Sequence, residues 1–326
     1  MRVLVTGGAG YIGAHTSRLL AQRGDFVIVI DDLVTGNRER IRGLPVIQFD
    51  IANGSASQLA ELMREHRIEA VIHFAGQKQV AESVAKPAWY YEQNVGSVAQ
   101  LLLAMESAGV AKLVFSSSAA VYGDASGAIS ESAPTTPINP YGATKLVGEQ
   151  MITASSQAWP LRAASLRYFN VGGAGAPELG DTQALNLIPI CFEQIAAGKP
   201  PLIFGDDYDT ADGTCVRDYV HVSDVADAHL AVLDALPQAP GNTVLNIGTG
   251  VGTSVREMVD SILAVSGSDL PVEVLDRRAG DPAAVVGIVD GIHQLTGWRA
   301  RYGVADIVES AWLSRQFFSA QSHEES

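Results

Sequence analysis

The chain has 326 residues, 47% of them hydrophobic and 18% charged, enough apolar material for one large or two interlocked domains and too much for a disordered chain. Its formal charge of −14 argues against a nucleic-acid or anionic-membrane partner, because both need clustered cations. The two cysteines, Cys191 and Cys215, suggest neither a disulfide framework nor a zinc site, and no metal is expected.

Met1 leads directly into a strand, with no basic segment and apolar stretch ahead of it, and no apolar run approaches the length of a membrane span. A soluble cytoplasmic protein is the expectation. Arg2–Thr6 reads as a buried strand closed by glycines, and Ile12–Arg23 carries helical spacing through Ile12, Thr16, Leu19 and Leu20. Strands are expected at Phe26–Ile30, Val46–Phe49, Ala70–Phe74, Lys112–Phe115 and Ala163–Tyr168. Helices are expected at Ser57–His66, at Tyr90–Ser107, and from Tyr141 into the Ile152 region. Strict alternation of strand and helix predicts an α/β fold with a Rossmann-type doubly wound parallel sheet.

After Asn170, glycine and proline loosen the pattern. Helical stretches recur at Leu187–Ala197, Val222–Leu236, Val255–Val265 and Ala305–Phe317, and the polar tail from Ser319 is expected to fray. The division expected is a dinucleotide-binding domain over 1–169 and a smaller mixed α/β substrate domain over 170–326. Segments around 215–247 return to the first.

Gly7, Gly10 and Gly13 fall between the first strand and the first helix. That arrangement aims the free N–H groups of a helix N-terminus at a pyrophosphate, and small residues let the backbone approach it. Asp31 ends the second strand 18 residues past Gly13. An acid there accepts hydrogen bonds from ribose hydroxyls and repels a 2′-phosphate. With Asp32 beside it, NAD is preferred over NADP. Asp50 and Ile51 either flank the adenine or simply end the third strand. Gly248–Gly252 also precedes a helix, but no acid follows at the right spacing, so it reads as an ordinary turn.

In the run Asn139–Lys145, Asn139 suits a helix N-cap and Pro140 the first helical position. Tyr141 and Lys145 then share one helical face. A free phenol has a pKa of about 10 and is a poor base at neutral pH. A nearby ammonium and an oxidised nicotinamide both favour the phenolate, so a depressed Tyr141 pKa is expected. Ser118, at the end of Phe115–Ser118, supplies a hydroxyl to the same substrate oxygen. His73 reads as a packed strand residue.

These motifs, together with His73–Gly76, Lys78, Glu82–Val84, Asn94, Ser116–Gly123, Arg167–Asn170, Gly213–His221 and Arg277–Asp281, resemble the extended short-chain dehydrogenase/reductase superfamily. Within it, the chain resembles the UDP-glucose 4-epimerases over nearly its whole length. The resemblance implies reversible C4 epimerisation of UDP-glucose and UDP-galactose through a 4-keto sugar and bound NAD. It assigns Tyr141, Lys145 and Ser118 to catalysis. It assigns Tyr11, Ile12, Phe74, Ala75, Gly76, Lys78, Asn94, Tyr168 and also Tyr141 and Lys145 to the cofactor, beside the glycines, acids and Ile51 already named, and places Ser118, Tyr141 and Val285 against the substrate. It assigns Asn170, Asn186, Phe204, Arg217, Arg278 and Asp281 to the uridine diphosphate. Two arginines can neutralise a diphosphate in fork geometry; otherwise, Arg217 and Arg278 are surface or structural ion pairs with Asp218 or Asp281. A homodimer through Tyr90–Ser107 and Tyr141–Ala154 is also implied.

The chain departs from the family pattern at Asp32, where Asn is frequent, at Ala120, where Thr is frequent, and at Val285. The Val285 position is bulky in members restricted to glucose and galactose and small in those that take N-acetylated sugars. Val is intermediate, so some activity on UDP-GlcNAc and UDP-GalNAc is expected. Related 4,6-dehydratases carry acids directly after the serine strand, where this chain has Ala119 and Ala120. A UDP-pentose 4-epimerase and a non-enzymatic NAD-binding regulator remain as alternatives, although such regulators commonly lack the Tyr or the Lys.

Overall fold

A computed structural model describes residues 1–278 and 280–324. In chain order the strands are β1 (Arg2–Thr6), β2 (Phe26–Asp31), β3 (Val46–Gln48), β4 (Ala70–His73), β5 (Lys112–Ser118), β6 (Gly127–Ile129) and β7 (Arg162–Tyr168). They continue with β8 (Asn170–Gly172), β9 (Leu202–Phe204), β10 (Val216–His221), β11 (Gly241–Ile247), β12 (Gly252–Ser254), β13 (Glu273–Leu275) and β14 (Ala284–Gly287). The α-helices are α1 (Tyr11–Arg23), α2 (Ala56–Glu65), α3 (Val80–Ala85), α4 (Pro87–Tyr90), α5 (Gly96–Ala108) and α6 (Pro140–Ala158). After them come α7 (Leu187–Ala196), α8 (Val222–Ala235), α9 (Val255–Ser266), α10 (Asp290–Thr296) and α11 (Val304–Glu324).

Burial of both faces explains why Val3–Val5 of β1 and Val27–Ile30 of β2 are apolar without a break. Val3, Val5, Val27 and Val29 point into one core, whereas Leu4, Ile28 and Ile30 point into the other. Helices α1 and α8 cover the first face; α2, α5 and α6 cover the second. Seven strands pair in parallel in the order β11-β7-β5-β4-β1-β2-β3. The chain winds outward from β1 in one direction and then from β4 in the other. The crevice at the carboxyl ends of β1 and β4 is therefore the place for a ligand.

Strand β11 closes the far edge of this sheet by pairing with β7, although it follows Asn170 by 71 residues. A second, mixed sheet runs β12-β10-β14-β6, with β8 also paired to β10. Helices α7, α9 and α11 bury a separate core around Phe192, Tyr219, Met258 and Ile307. Strands β9 and β13 form a parallel pair.

The single helix expected over Tyr90–Ser107 is broken. It begins with α4, passes through a π-helical turn at Tyr91–Val95 and then continues as α5. Asn94, inside that turn, is bonded to Gln77 and Thr144, and these pins coincide with the local widening. The tail does not fray at Ser319, since α11 runs to Glu324; Glu325 and Ser326 lie outside the described residues. Among the described residues, no helix is long and apolar enough to cross a membrane. Nor does any group of three or more His, Cys, Asp or Glu side chains there form a metal cluster.

Among the described residues, four imidazoles are buried. Burial pushes His73 down to about 3, and His15, His221 and His229 down to about 4 each, from 6.5. Between those values and 6.5 the unfolded chain binds more protons, so stability rises with pH in that window and is lost as pH falls through it. Asp31 and Asp224, raised by burial, act in the opposite direction closer to the carboxylate range. The urea midpoint is expected to be clearly lower at pH 5 than at pH 7. An equal or higher midpoint at pH 5 contradicts this balance.

Candidate active site

Between β1 and α1 the backbone doubles back so tightly that side chains do not fit. Gly7 has φ +66°, and a Cβ built on it meets the Ala75 nitrogen at 2.6 Å. A Cβ on Gly13 meets the Gly7 oxygen at 2.2 Å. The loop opens onto a cavity of about 210 Å³ whose wall includes Gly7, Gly10, Tyr11, Ile12 and Gly13. Asp31 and Asp32 line it from β2, Asp50 and Ile51 from beyond β3, and Phe74, Ala75, Gly76 and Lys78 from the end of β4. Asp31 is only 6% exposed and accepts backbone N–H bonds from Ala9 (3.0 Å) and Leu33 (2.9 Å). Burial raises its pKa, while these two bonds oppose the rise. A close backbone turn at a helix start, with a fixed acid at the end of the next strand, fits a dinucleotide.

Asn94 is not in this wall. Its Oδ1 accepts from the Gln77 N–H at 2.7 Å, and its Nδ2 donates to the Gln77 carbonyl at 3.0 Å and to Thr144 Oγ1 at 2.9 Å. It thus ties the loop after β4 to the helix that carries Tyr141.

Helix α6 starts as its sequence dictates. Asn139 Oδ1 caps the Gly142 N–H at 2.9 Å, and Pro140 occupies the first position. Lys145 is buried, and its Nζ donates to the Ser116 carbonyl at 2.9 Å and lies 5.9 Å from the Tyr141 ring centre. Burial lowers Lys145 to about 8, against the pull of Glu149. The Tyr141 ring is partly open to the cavities, but its hydroxyl end is enclosed. Burial raises the phenol, and the Ser118 hydroxyl bonded to it lowers it. The expected depression is therefore not met by the polypeptide alone; desolvation outweighs the hydrogen bond. Tyr168 lines the same cavity, its hydroxyl bonded to Ser116 and its ring 6.0 Å from that of His229.

A second cavity of about 790 Å³ adjoins the first. Tyr11, Ile12, Lys78, Tyr141, Tyr168 and Asp181 line both. Ser118, Asn170, Asn186, Arg217, Asp281 and Val285 line the second alone. Arg217 donates from Nη1 to the Val216 and Pro282 carbonyls at 2.9 Å each, and its Nη2 is 3.7 Å from Asp281. Asp218 is not its partner. This fully buried carboxylate holds the Thr249–Gly250 turn and the Gly287 N–H, so the Gly248–Gly252 loop serves as a structural turn. Phe204 and Arg278 do not line either cavity. The guanidinium of Arg278 stacks 3.8 Å from the Phe204 ring centre, beside the β9–β13 pair.

Sequence reasoning missed Arg40 and Asp181. Arg40 sits in the charge-rich run Asn37–Arg42, which reads as a solvated turn, yet it is only 5% exposed and lines the first cavity. Asp181 comes from the irregular segment before α7, where no periodicity marks it. Its carboxylate is bonded to Asn186 Nδ2 at 3.2 Å and lies 3.9 Å from Lys78 Nζ.

Comparisons with known proteins agree with this geometry. The NAD dependent epimerase/dehydratase family matches residues 3–248. A UDP-glucose 4-epimerase of Azospirillum brasilense is 49% identical over 317 residues, covering 95% of this chain and 90% of the relative. The UDP-glucose 4-epimerase of Brucella ovis, solved in complex with NAD, superposes with a TM-score of 0.91 at 41% identity, covering 97% of this chain and 98% of the other. The UDP-glucose-4-epimerase from Stenotrophomonas maltophila, solved with NAD and formylated UDP-arabinopyranose, gives 0.91 at 41% identity and covers 98% of this chain and 99% of its own. With a nucleotide-type glycine turn joined to a Tyr–Lys helix, and with relatives this similar over this length, the chain belongs to the NAD dependent epimerase/dehydratase family.

Proposed function

We propose that this protein interconverts UDP-glucose and UDP-galactose at C4, with NAD held in the first cavity and the UDP-sugar in the second. The observation that carries the reading is Tyr141, whose side chain lines both cavities beside Ser118 and Lys145. When bound, NAD supplies a place for the C4 hydride to go and to return from. Tyr141 takes the proton of the 4-hydroxyl, and the Ser118 hydroxyl shares the same oxygen. Loss of that proton and a hydride leaves a 4-ketone. The ketose turns within the larger cavity while its diphosphate stays held, and proton and hydride return to the opposite face. Arg217 is the buried-side cation for the diphosphate, and Asn170 and Asn186 offer amides to the nucleotide. Burial raises the Tyr141 phenol and the Ser118 hydrogen bond opposes the rise; the positive charge of an oxidised nicotinamide, when bound, would lower it further.

The test is a coupled assay on purified protein with UDP-galactose and no NAD added. Formation of UDP-glucose supports the reading, and a protein that carries NAD but epimerises no UDP-sugar supports the regulator instead. Val285 lines the sugar-side cavity with a side chain of middle size. UDP-GalNAc is therefore expected to turn over more slowly than UDP-galactose, and Val285→Tyr to abolish the N-acetyl reaction while sparing the other. No turnover of either N-acetyl sugar by the parent protein rejects this. A UDP-pentose is included in the same assay.

We also infer a homodimer formed through the outer faces of α5 and α6. Leu103 on α5 is 56% exposed, a large apolar side chain for a face turned to water. Light scattering is expected to give twice the 34.4 kDa of one chain; a monomer at micromolar concentration contradicts it.

A further inference from the structure

Arg40 is a buried cation that the reaction scheme above does not use. It sits on the short 3-10 turn Arg38–Ile41 between β2 and β3, whose start is capped by Asn37. From there its Nη2 donates to the Gly180 carbonyl at 2.9 Å and to Thr182 Oγ1 at 3.1 Å, residues 140 and 142 positions downstream. Both acceptors are uncharged, and Nε has no acceptor among the described residues. Its positive charge is thus not cancelled by a direct hydrogen-bonded carboxylate. Taking a guanidinium out of water costs several kcal/mol unless it gains compensating contacts, so this reach across the fold is an expensive arrangement.

The segment it holds lines both cavities. Asp181 and Gln183 line that cavity together with Arg40 itself. The groove is otherwise acidic. Asp31, Asp32, Asp50 and Asp181 all line it, and apart from Lys145 at the catalytic end its cations are Arg40 and Lys78. A dinucleotide pyrophosphate entering such a groove needs a nearby positive charge. Arg40 provides one, a guanidinium whose charge burial disfavours and the nearby Asp181 and Asp31 carboxylates favour.

We propose that Arg40 fastens segment Gly180–Gln183 as a strap across the dinucleotide groove, and thereby sets how long the dinucleotide stays bound. The proposal rests on the reading of that groove as the NAD site. Arg40 acts as a positioning residue. It ties two distant stretches of chain over the bound molecule and offsets the carboxylates around it. Retention matters to this reaction, because escape of the cofactor between the two hydride transfers strands the ketone.

The test uses the protein as purified with its own cofactor. Arg40→Met keeps the apolar stem and removes the fork, Arg40→Lys keeps a charge without the fork, and Thr182→Val removes one acceptor at an exposed position. Dinucleotide released after dilution is measured over time. Arg40→Met is expected to release it on the order of tenfold faster than the parent, as for loss of a charged hydrogen bond. Arg40→Lys is expected to be intermediate, and Thr182→Val to show a smaller acceleration. The activity deficit of Arg40→Met is expected in the NAD concentration required for half-maximal rate, with kcat much less affected. Release rates equal to the parent in Arg40→Met and Thr182→Val overturn the strap. If Arg40→Met does not fold, parent-like release in both Arg40→Lys and Thr182→Val overturns it. A parent protein that carries no dinucleotide overturns the NAD reading, and the strap with it.

Discussion

Tyr141→Phe is expected to lower kcat for UDP-galactose by about 10²–10⁴-fold, the usual contribution of a positioned acid–base group, while bound NAD per chain stays unchanged. The substitution removes one oxygen and leaves the ring in the partly open position it already occupies. Ser118 loses its partner on the phenol but retains its bond to the Ala120 N–H at 3.1 Å. Lys145 keeps its bond to the Ser116 carbonyl. The dinucleotide cradle, built from the loop after β1 and the end of β4, is untouched. A coupled epimerase assay and the absorbance of released NAD separate the two effects. A variant with more than a tenth of the parent kcat removes Tyr141 from the proton-transfer role, and one that has lost its NAD shows that the loss of rate came from the cofactor site.

Arg167→Met is expected to destabilise the fold by about 3–5 kcal/mol, the cost of leaving one member of a buried ion pair without its partner. Arg167 and Glu149 are 5% and 4% exposed. Arg167 Nε donates to Glu149 Oε1 at 2.9 Å and Nη2 to Oε2 at 2.5 Å, a two-pronged contact between β7 and α6. Ser117 on β5 donates to the same carboxylate. Glu149 thus joins β7, through Arg167, and the strand that ends in Ser118, through Ser117, to the helix that carries Tyr141 and Lys145. Urea unfolding of the variant measures the loss, and the double substitution Arg167→Met with Glu149→Leu is expected to recover most of it, since a matched apolar pair carries no orphaned charge. A single-variant loss under about 1 kcal/mol, far below the range for a broken buried pair, contradicts the assignment.

The two variants separate chemistry from scaffold. Tyr141→Phe alters rate without stability, and Arg167→Met alters stability at a point that only holds the catalytic elements in register. Arg167 falls in a run that carries the family resemblance, but nothing in the sequence pairs it with Glu149. Arg167 and Glu149 are 18 positions apart, on a strand and a helix whose contact depends on how α6 lies across the sheet.

Local spacing determined much of this protein. The buried run of β1, its glycine turn and the start of α1 follow from neighbouring residues, as do the Asn139–Pro140 cap and the Tyr141–Lys145 spacing. Each depends on backbone geometry within a few residues, where side-chain size and hydrogen-bonding type act directly. Tertiary structure alone decided that β11 takes the sheet edge beside β7, that Asp218 serves a turn and not Arg217, that Arg278 lies on Phe204, and that Arg40 reaches Gly180. It also set how strongly burial opposes the Tyr141 phenolate in the polypeptide alone, because desolvation depends on everything packed around a group. The physical reason is common to all of these: burial and partner choice are set by segments far apart in the chain, which periodicity and spacing do not register.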